Sequence, residues 1–263
     1  MEKLIILPEL INNSDWHEQM KRAERIMNQY FREVCSFPQK ELSDVMHIIL
    51  DSKYGQNFLN SMKQLKIERL YKSDIHGQDH VERVCILAAY LGAQLGVSMN
   101  MFKLCLEAAK YHDIGRRNDA EDRLHGYLGS KDIYECCEEF CEWDCEMIAA
   151  VVEAHSLLDD EARWVFDKYE LLEPSDFEMY LQILNIVKDA DALDRFRLTE
   201  HSLKVNFLRV PESLSVIQAA CEMNQVPVRR RVTIVSCTEE SVSVIQWEQV
   251  KSNEKSDLKN WSV

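Results

Sequence analysis

The chain is poor in the residues that break helices, with seven glycines and five prolines in 263 positions. That scarcity excludes a loop-rich or sheet-rich architecture built on tight turns and points to helices with short connections. Long apolar runs are also missing. No stretch approaches the roughly 18 to 20 uncharged apolar residues of a membrane span. The first residues, MEKLIILPEL, hold only a four-residue apolar run before Pro8 and Glu9, which is no secretory signal. Positive charge is in deficit, 31 Lys and Arg against 45 Asp and Glu, a net of -14. That excludes the basic footprint that non-specific nucleic-acid or anionic-lipid binding requires. No glycine-rich phosphate loop and no serine nucleophile elbow is present. Cysteine is not scarce, but nine scattered cysteines without a secretory signal fit a cytoplasmic protein with reduced thiols.

What is there is an ordinary globular composition, 46% hydrophobic and 29% charged, long enough for one large domain with appendages. The pattern predicts an all-α protein with a small C-terminal β-hairpin, in three segments. Residues 1–72 read as an N-terminal helical extension. There Trp16, Met20, Ile26, Met27 and Phe31 recur at helical spacing behind Asn13 or Ser14. Further helices are expected near 41–50 and 55–70, after a break at Ser36, Phe37 and Pro38. Residues 73–221 form the core. Val81 to Leu95 stops at Gly96, and Asn100 to Asp113 carries Met101, Leu104, Cys105 and Ala108 on one stripe. Lys131 to His155 reads as one long helix, and Asp176 to Arg197 opens with the capping-box spacing of Ser175 and Glu178. Residues 222–263 hold two β-branched runs, RVTIVSC and VSVIQWEQV, that read as the hairpin, followed by a tail.

The acidity is uneven: Asp119 to Glu178 contains 19 acids and 4 bases, so the rest of the chain is near neutral. Within and around that segment lie the residues that carry chemistry. His76 and His80 open one helix in HGQDHVERV, and His112-Asp113 closes another in KYHDIGRR. His125, His155 and Asp191 follow in RLHGYLGS, VVEAHS and VKDADALDRF. Imidazoles with carboxylates suit a divalent transition ion such as Mn, Fe, Ni, Co or Zn. Lys188, Asp191 and Arg195 share one helix face, where a carboxylate flanked by two cations suits phosphate plus metal. Cys137, Cys141 and Cys145 repeat every four residues beside Cys136, which reads as the packing face of a helix.

The order His80, His112-Asp113, Asp191 resembles the HD superfamily of metal-dependent phosphohydrolases, with HxxRV, HDIG and ADALD as the local text. With His125 and His155 added, it resembles the longer pattern of HD-GYP-type phosphodiesterases and of bacterial symmetrical dinucleoside-tetraphosphate hydrolases. The similarity spans roughly Asp74 to Arg209. The GYP motif is absent, since SLLDDEARW follows His155, and this disfavours a cyclic-di-GMP phosphodiesterase.

The resemblance implies an HD-domain helical bundle as the core. It makes His80, His112, Asp113 and Asp191 ligands of a first ion, with Asp113 bridging to a second held by His125 and His155; one ion or two stays open. His80 is taken over His76 as the histidine before xxRV, and Asp191 over Asp189 by its place in ADAL. His76 is left to face the substrate or cap its helix. Asp113 stands at the reacting centre, with Arg116, Lys188 and Arg195 as phosphate clamps. Arg117 is expected in ordinary salt bridging, and Asp194 orients a neighbouring ligand or arginine. The implied function is hydrolysis of a small soluble phosphorylated substrate, a nucleotide above all, by a phosphomonoesterase or phosphodiesterase. A dinucleoside-polyphosphate or nucleoside-triphosphate hydrolase and a non-catalytic nucleotide-sensing module are the alternatives. A homo-oligomer is compatible with the sequence.

Overall fold

A computed structural model describes residues 38–199 and 202–225, with the backbone of 231–234 and 245–248. The expected helix in residues 13–35 lies outside the described residues. The chain divides into two compact units: Ser43–Asp194, and a second assembled from Met1–Leu42 and Arg195–Val263.

The Ser43–Asp194 unit is helical. Helix α1 (Leu42–Leu50) enters it and α2 (Gly55–Lys63) follows. The long helices are α3 (Gln78–Gln94), α4 (Met99–Tyr111), α7 (Glu142–Ala154) and α9 (Phe177–Leu193). Helix α4 packs on α3, α7 and α9, and α9 also packs on α3 and α7. Short helices α5 (His125–Ser130), α6 (Ile133–Cys136) and α8 (Ala162–Phe166) connect them, with α5 laid against α7. The core comprises Val84, Leu87 and Leu91 of α3, Phe102, Leu104 and Leu106 of α4, Met147, Ile148 and Val151 of α7, and Ile183, Ile186 and Val187 of α9. Each such side chain contributes about 1.5–3 kcal/mol by leaving water.

Local chemistry sets the boundaries. Helix α3 ends at Gly96, whose φ of +63° is the left-handed conformation glycine adopts without strain. The Ser98 hydroxyl then caps α4 by accepting from Met101 N at 3.2 Å.

Residues 43–63 pack within the Ser43–Asp194 unit. The Tyr54 hydroxyl donates to the Val97 carbonyl, and its ring stacks on Phe102 at 4.4 Å between centroids. Ser61 Oγ donates to Glu107 Oε1 at 3.0 Å, and the other Glu107 oxygen pairs with Lys110 Nζ at 2.7 Å, all buried.

Three expected helices are corrected. The stretch 131–155 is not one helix: it breaks after Cys136 and restarts at Glu142 behind Cys141 in extended conformation. Glu142 and Asp144 then sit in the first turn of α7, where carboxylates meet the positive end of the helix dipole. Cys137, Cys141 and Cys145 therefore do not share one helix face: Cys137 and Cys145 are buried and Cys141 is exposed. Helix α2 stops at Lys63, and Ile67, whose apolar character extended the pattern, is 49% exposed. Helix α9 is entered without the Ser175–Glu178 capping box. A 3-10 turn at Pro174–Asp176 precedes it, in which Asp176 Oδ2 accepts from Glu173 N at 3.0 Å.

In the second unit, residues 38–42 are tied to the segment around α10 (Ile217–Met223). Lys40 N donates to Ser215 O at 2.8 Å, and Leu42 N to Glu222 Oε2 at 2.8 Å. The backbones of β1 (Arg231–Ile234) and β2 (Ile245–Glu248) pair antiparallel, Val232 opposite Trp247. The residues joining them, where the turn of the expected hairpin would lie, and the tail are outside the described residues. Among the described residues no helix is long and apolar enough to cross a membrane.

Candidate metal centre

Four histidines reach the centre from helix ends. His80 stands in the first turn of α3, His112 and His155 are the C-cap residues of α4 and α7, and His125 opens α5. The last carbonyls of a helix have no intrahelical donor, and a histidine folded back over that end can supply one. His112 Nδ1 donates to Ala109 O at 2.8 Å, and His155 Nδ1 to Val152 O at 2.6 Å. His125 Nδ1 does the same to Asp122 O at 2.5 Å, and His80 Nδ1 bonds Asp194 Oδ2 at 2.7 Å. Each contact fixes the proton on Nδ1 and leaves the Nε2 lone pair as the outward donor.

Those four Nε2 atoms converge around Asp113. His80 and His112 Nε2 are 3.0 Å apart, and His125 and His155 Nε2 are 2.9 Å apart. Asp113 Oδ1 lies 3.1 Å from His125 Nε2 and 3.7 Å from His155 Nε2. Asp113 Oδ2 lies 3.4 Å from His80 Nε2 and 3.7 Å from His112 Nε2. Asp191 Oδ1 approaches His80 Nε2 at 3.5 Å. Two lone pairs that face each other at 3 Å repel unless a cation lies between them. Ligand nitrogens about 2.1 Å from one ion and at right angles are about 3.0 Å apart, so the donor set fits a divalent transition ion. Asp113 Oδ2 is buried and accepts no hydrogen bond, as suits a ligand atom. Two groups of donors lie close enough to share an ion, His80 with His112 and Asp191, and His112 with Asp113 and His155.

The protonation states agree with that fit. Burial pushes His112 down to about 3 and lowers His155, so both are neutral at physiological pH, as a metal ligand must be. Burial alone would raise the Asp113 carboxyl, but His112 and the imidazoles of His125, His155 and His80 outweigh it and hold the acid well below the usual carboxylate range.

Residues 77–195 match the family model of the HD domain. This segment is an HD domain. The chain thus carries the domain of a superfamily of metal-dependent phosphohydrolases, and HD domains bind divalent metals. No curated protein and no solved structure gives a significant match.

Around the donors of the HD domain lies a shell that sequence reasoning read only in part. Asp194 is fully buried and bridges His80 to Arg83, whose Nε donates to Oδ1 at 2.6 Å. Burial would raise its carboxyl, but the bonds from His80 and Arg83 hold it low. Arg83 is the arginine of HxxRV, so two of the local motifs meet in one ion pair. Arg116 Nε donates to Asp113 Oδ1 at 2.9 Å, and its Nη1 to Ala120 O at 3.2 Å. Lys188 Nζ donates to Leu157 O at 2.8 Å and to Asp159 Oδ1 at 2.7 Å, just beyond His155 in the chain. Arg195 opens the other unit, where its Nε donates to Ser202 O at 3.1 Å. His76 Nδ1 pairs with Asp119 Oδ1 at 2.9 Å, and Ser73 Oγ donates to the same oxygen at 2.5 Å. The sequence held no periodic signal for that last pairing, because Asp119 lies in an irregular segment 43 residues further on.

Proposed function

We propose that the HD domain hydrolyses a phosphoester bond of a small soluble phosphorylated substrate, a nucleotide above all. One observation carries this reading: four imidazole Nε2 atoms gather around the buried Asp113 carboxylate and the part-buried Asp191 carboxylate, each imidazole with its Nδ1 already hydrogen-bonded. His80, His112, Asp113 and Asp191 would hold a first divalent ion, and His125 and His155, with Asp113 between, a second. The chemistry supplied by Mn, Fe, Ni, Co or Zn held there would be activation of water near neutral pH and neutralisation of charge on phosphoryl oxygens. The chain's own residues do the rest. Asp113 stays ionised between the imidazoles, and Arg116 puts a guanidinium 2.9 Å from Asp113 Oδ1, where phosphoryl oxygens would gather. Lys188 and Arg195 are proposed as further phosphate contacts. The acids of 119–178 support a small substrate over a long nucleic acid: of the 19, Glu153 is the buried one, and it is held by Lys168 and the Tyr169 hydroxyl.

The test is a purified chain assayed with added Mn against p-nitrophenyl phosphate, bis-p-nitrophenyl phosphate and a nucleotide panel, with bound metal measured alongside. Turnover of a phosphoester that chelation abolishes is the expected result. No turnover of any compound together with no bound metal would overturn the reading.

A further inference from the structure

The Ser43–Asp194 unit contains six arginines, and five of them are neutralised by carboxylates. Arg69 pairs with Glu135, Arg83 with Asp194, Arg116 with Asp113, Arg123 with Glu161 and Arg163 with Asp167. Arg117 is the exception among the described residues. Its Nη1 donates to two backbone carbonyls, Ile114 O at 3.3 Å and Arg116 O at 2.9 Å, and it has no ion pair. That is unexpected in so acidic a segment, and it corrects the expectation of ordinary salt bridging. Of the acids that follow it in sequence, Asp119 accepts from Ser73 and pairs with His76, and Asp122 accepts from Leu124 N at 2.7 Å.

The place of Arg117 matters as much as its lack of a partner. One of the carbonyls that hold it belongs to Ile114, the residue after Asp113. The chain between is pressed against the start of α5. A Cβ on Gly115 would meet His125 O at 2.0 Å and Gly129 N at 2.3 Å. The exposed guanidinium is thus fixed beside the segment that delivers both Asp113 and His125 to the centre. A planar donor anchored on one nitrogen, with its other N–H groups unused, is prepared for a bidentate oxyanion.

We infer that Arg117 binds a second phosphate of the substrate, next to the phosphoryl group at the metal centre, and so sets a preference for pyrophosphate-bearing nucleotides over monophosphates. The inference rests on the phosphohydrolase reading and names the substrate class of that same site. A charge-assisted contact of this kind corresponds to roughly 10- to 100-fold in affinity.

The experiment is calorimetric binding of the non-hydrolysable methylene analogues of AMP and ADP to the full-length, Mn-loaded chain, with Arg117→Ala and Arg117→Lys as variants. The wild type is expected to bind the ADP analogue at least 10-fold more tightly. Arg117→Ala should lose that margin without weakening AMP-analogue binding, and Arg117→Lys should restore part of it. Thermal melts check that this exposed substitution leaves the fold intact. A wild type that binds both analogues equally, or neither, overturns the inference, as does an Arg117→Ala protein that keeps the margin. The margin in a protein that hydrolyses no ester would sink the enzymatic reading and leave Arg117 as a diphosphate-binding residue. Turnover by a protein whose Arg117→Ala variant keeps the margin would do the reverse.

Discussion

Asp194 Oδ2 stands 2.7 Å from His80 Nδ1, and the same buried carboxylate receives Arg83 through its other oxygen. The pair fixes which imidazole nitrogen faces the centre, and it joins the HxxRV and ADALD segments in one contact. Asp194→Asn retains the size but loses the charge that stabilises both partners. It is expected to weaken metal binding by about 10- to 100-fold, as removal of an outer-shell carboxylate generally does. Mn affinity measured against a competing chelator checks this; unchanged affinity would show that Asp194 serves the fold alone.

Asp113 touches both halves of the donor set, so its loss should be more severe than that of any single imidazole. Asp113→Ala is expected to abolish phosphoester turnover while far-ultraviolet dichroism stays close to wild type, and undiminished turnover would remove Asp113 from the centre. His125→Ala separates one ion from two. A fall in stoichiometry from two Mn per chain to one is the expected result. A wild-type value of one that His125→Ala leaves unchanged would contradict the second ion.

The buried imidazoles make stability depend on pH in the metal-free protein. His112 has an ordinary value of 6.5 in the unfolded chain and about 3 in the fold, so the unfolded state binds the extra proton below pH 6.5. Its contribution is therefore intact above 6.5 and is lost progressively as pH falls towards 3. At pH 5.5 that loss is roughly 1.4 kcal/mol from His112, and His155, lowered by burial too, adds to it. Asp113 and Asp194, both held below the ordinary carboxyl range, reinforce the trend at still lower pH. Urea unfolding of the chelator-treated protein at pH 7.5 and 5.5 measures this, and an unchanged midpoint would refute it. The loss should shrink when Mn is present near neutrality and return as protons compete for the imidazoles.

Helices α3, α4 and α9 were legible because each carries its own signals: an apolar stripe, the Gly96 stop, an approximate start. The four candidate histidines stood out by their order and local text, and the fold brings their Nε2 atoms together. The break between Cys136 and Glu142 was not, because cysteines at four-residue intervals imitate a helix face, while the preference of Glu142 and Asp144 for a helix start is a weaker signal. Nor could spacing give the partners of Ser61, Asp119 or Lys188, since those contacts cross 29 to 46 residues and depend on how helices pack. Arg117 illustrates the limit best: composition predicts a salt bridge, and only the fold shows its Nη1 on two backbone carbonyls with Asp119 and Asp122 engaged elsewhere.

Lys188 offers the last test, between touching phosphate and holding the chain. Its side chain is 4% exposed, and its ammonium donates to the Leu157 carbonyl two residues beyond His155. Lys188→Met keeps the apolar stem but leaves that carbonyl without this donor, a loss of about 1–3 kcal/mol. For a unit of this size that corresponds to a melting point lower by roughly 2–4 °C per kcal/mol. If the residue mainly positions the His155 segment, the melting point falls, Mn binding weakens and KM changes little. If it grips phosphate, KM for phosphoesters rises while the melting point and metal affinity hold. The two bonds to the loop after α7 make the first outcome the mark of a positioning role, whereas a raised KM with undiminished stability supports the proposed phosphate contact.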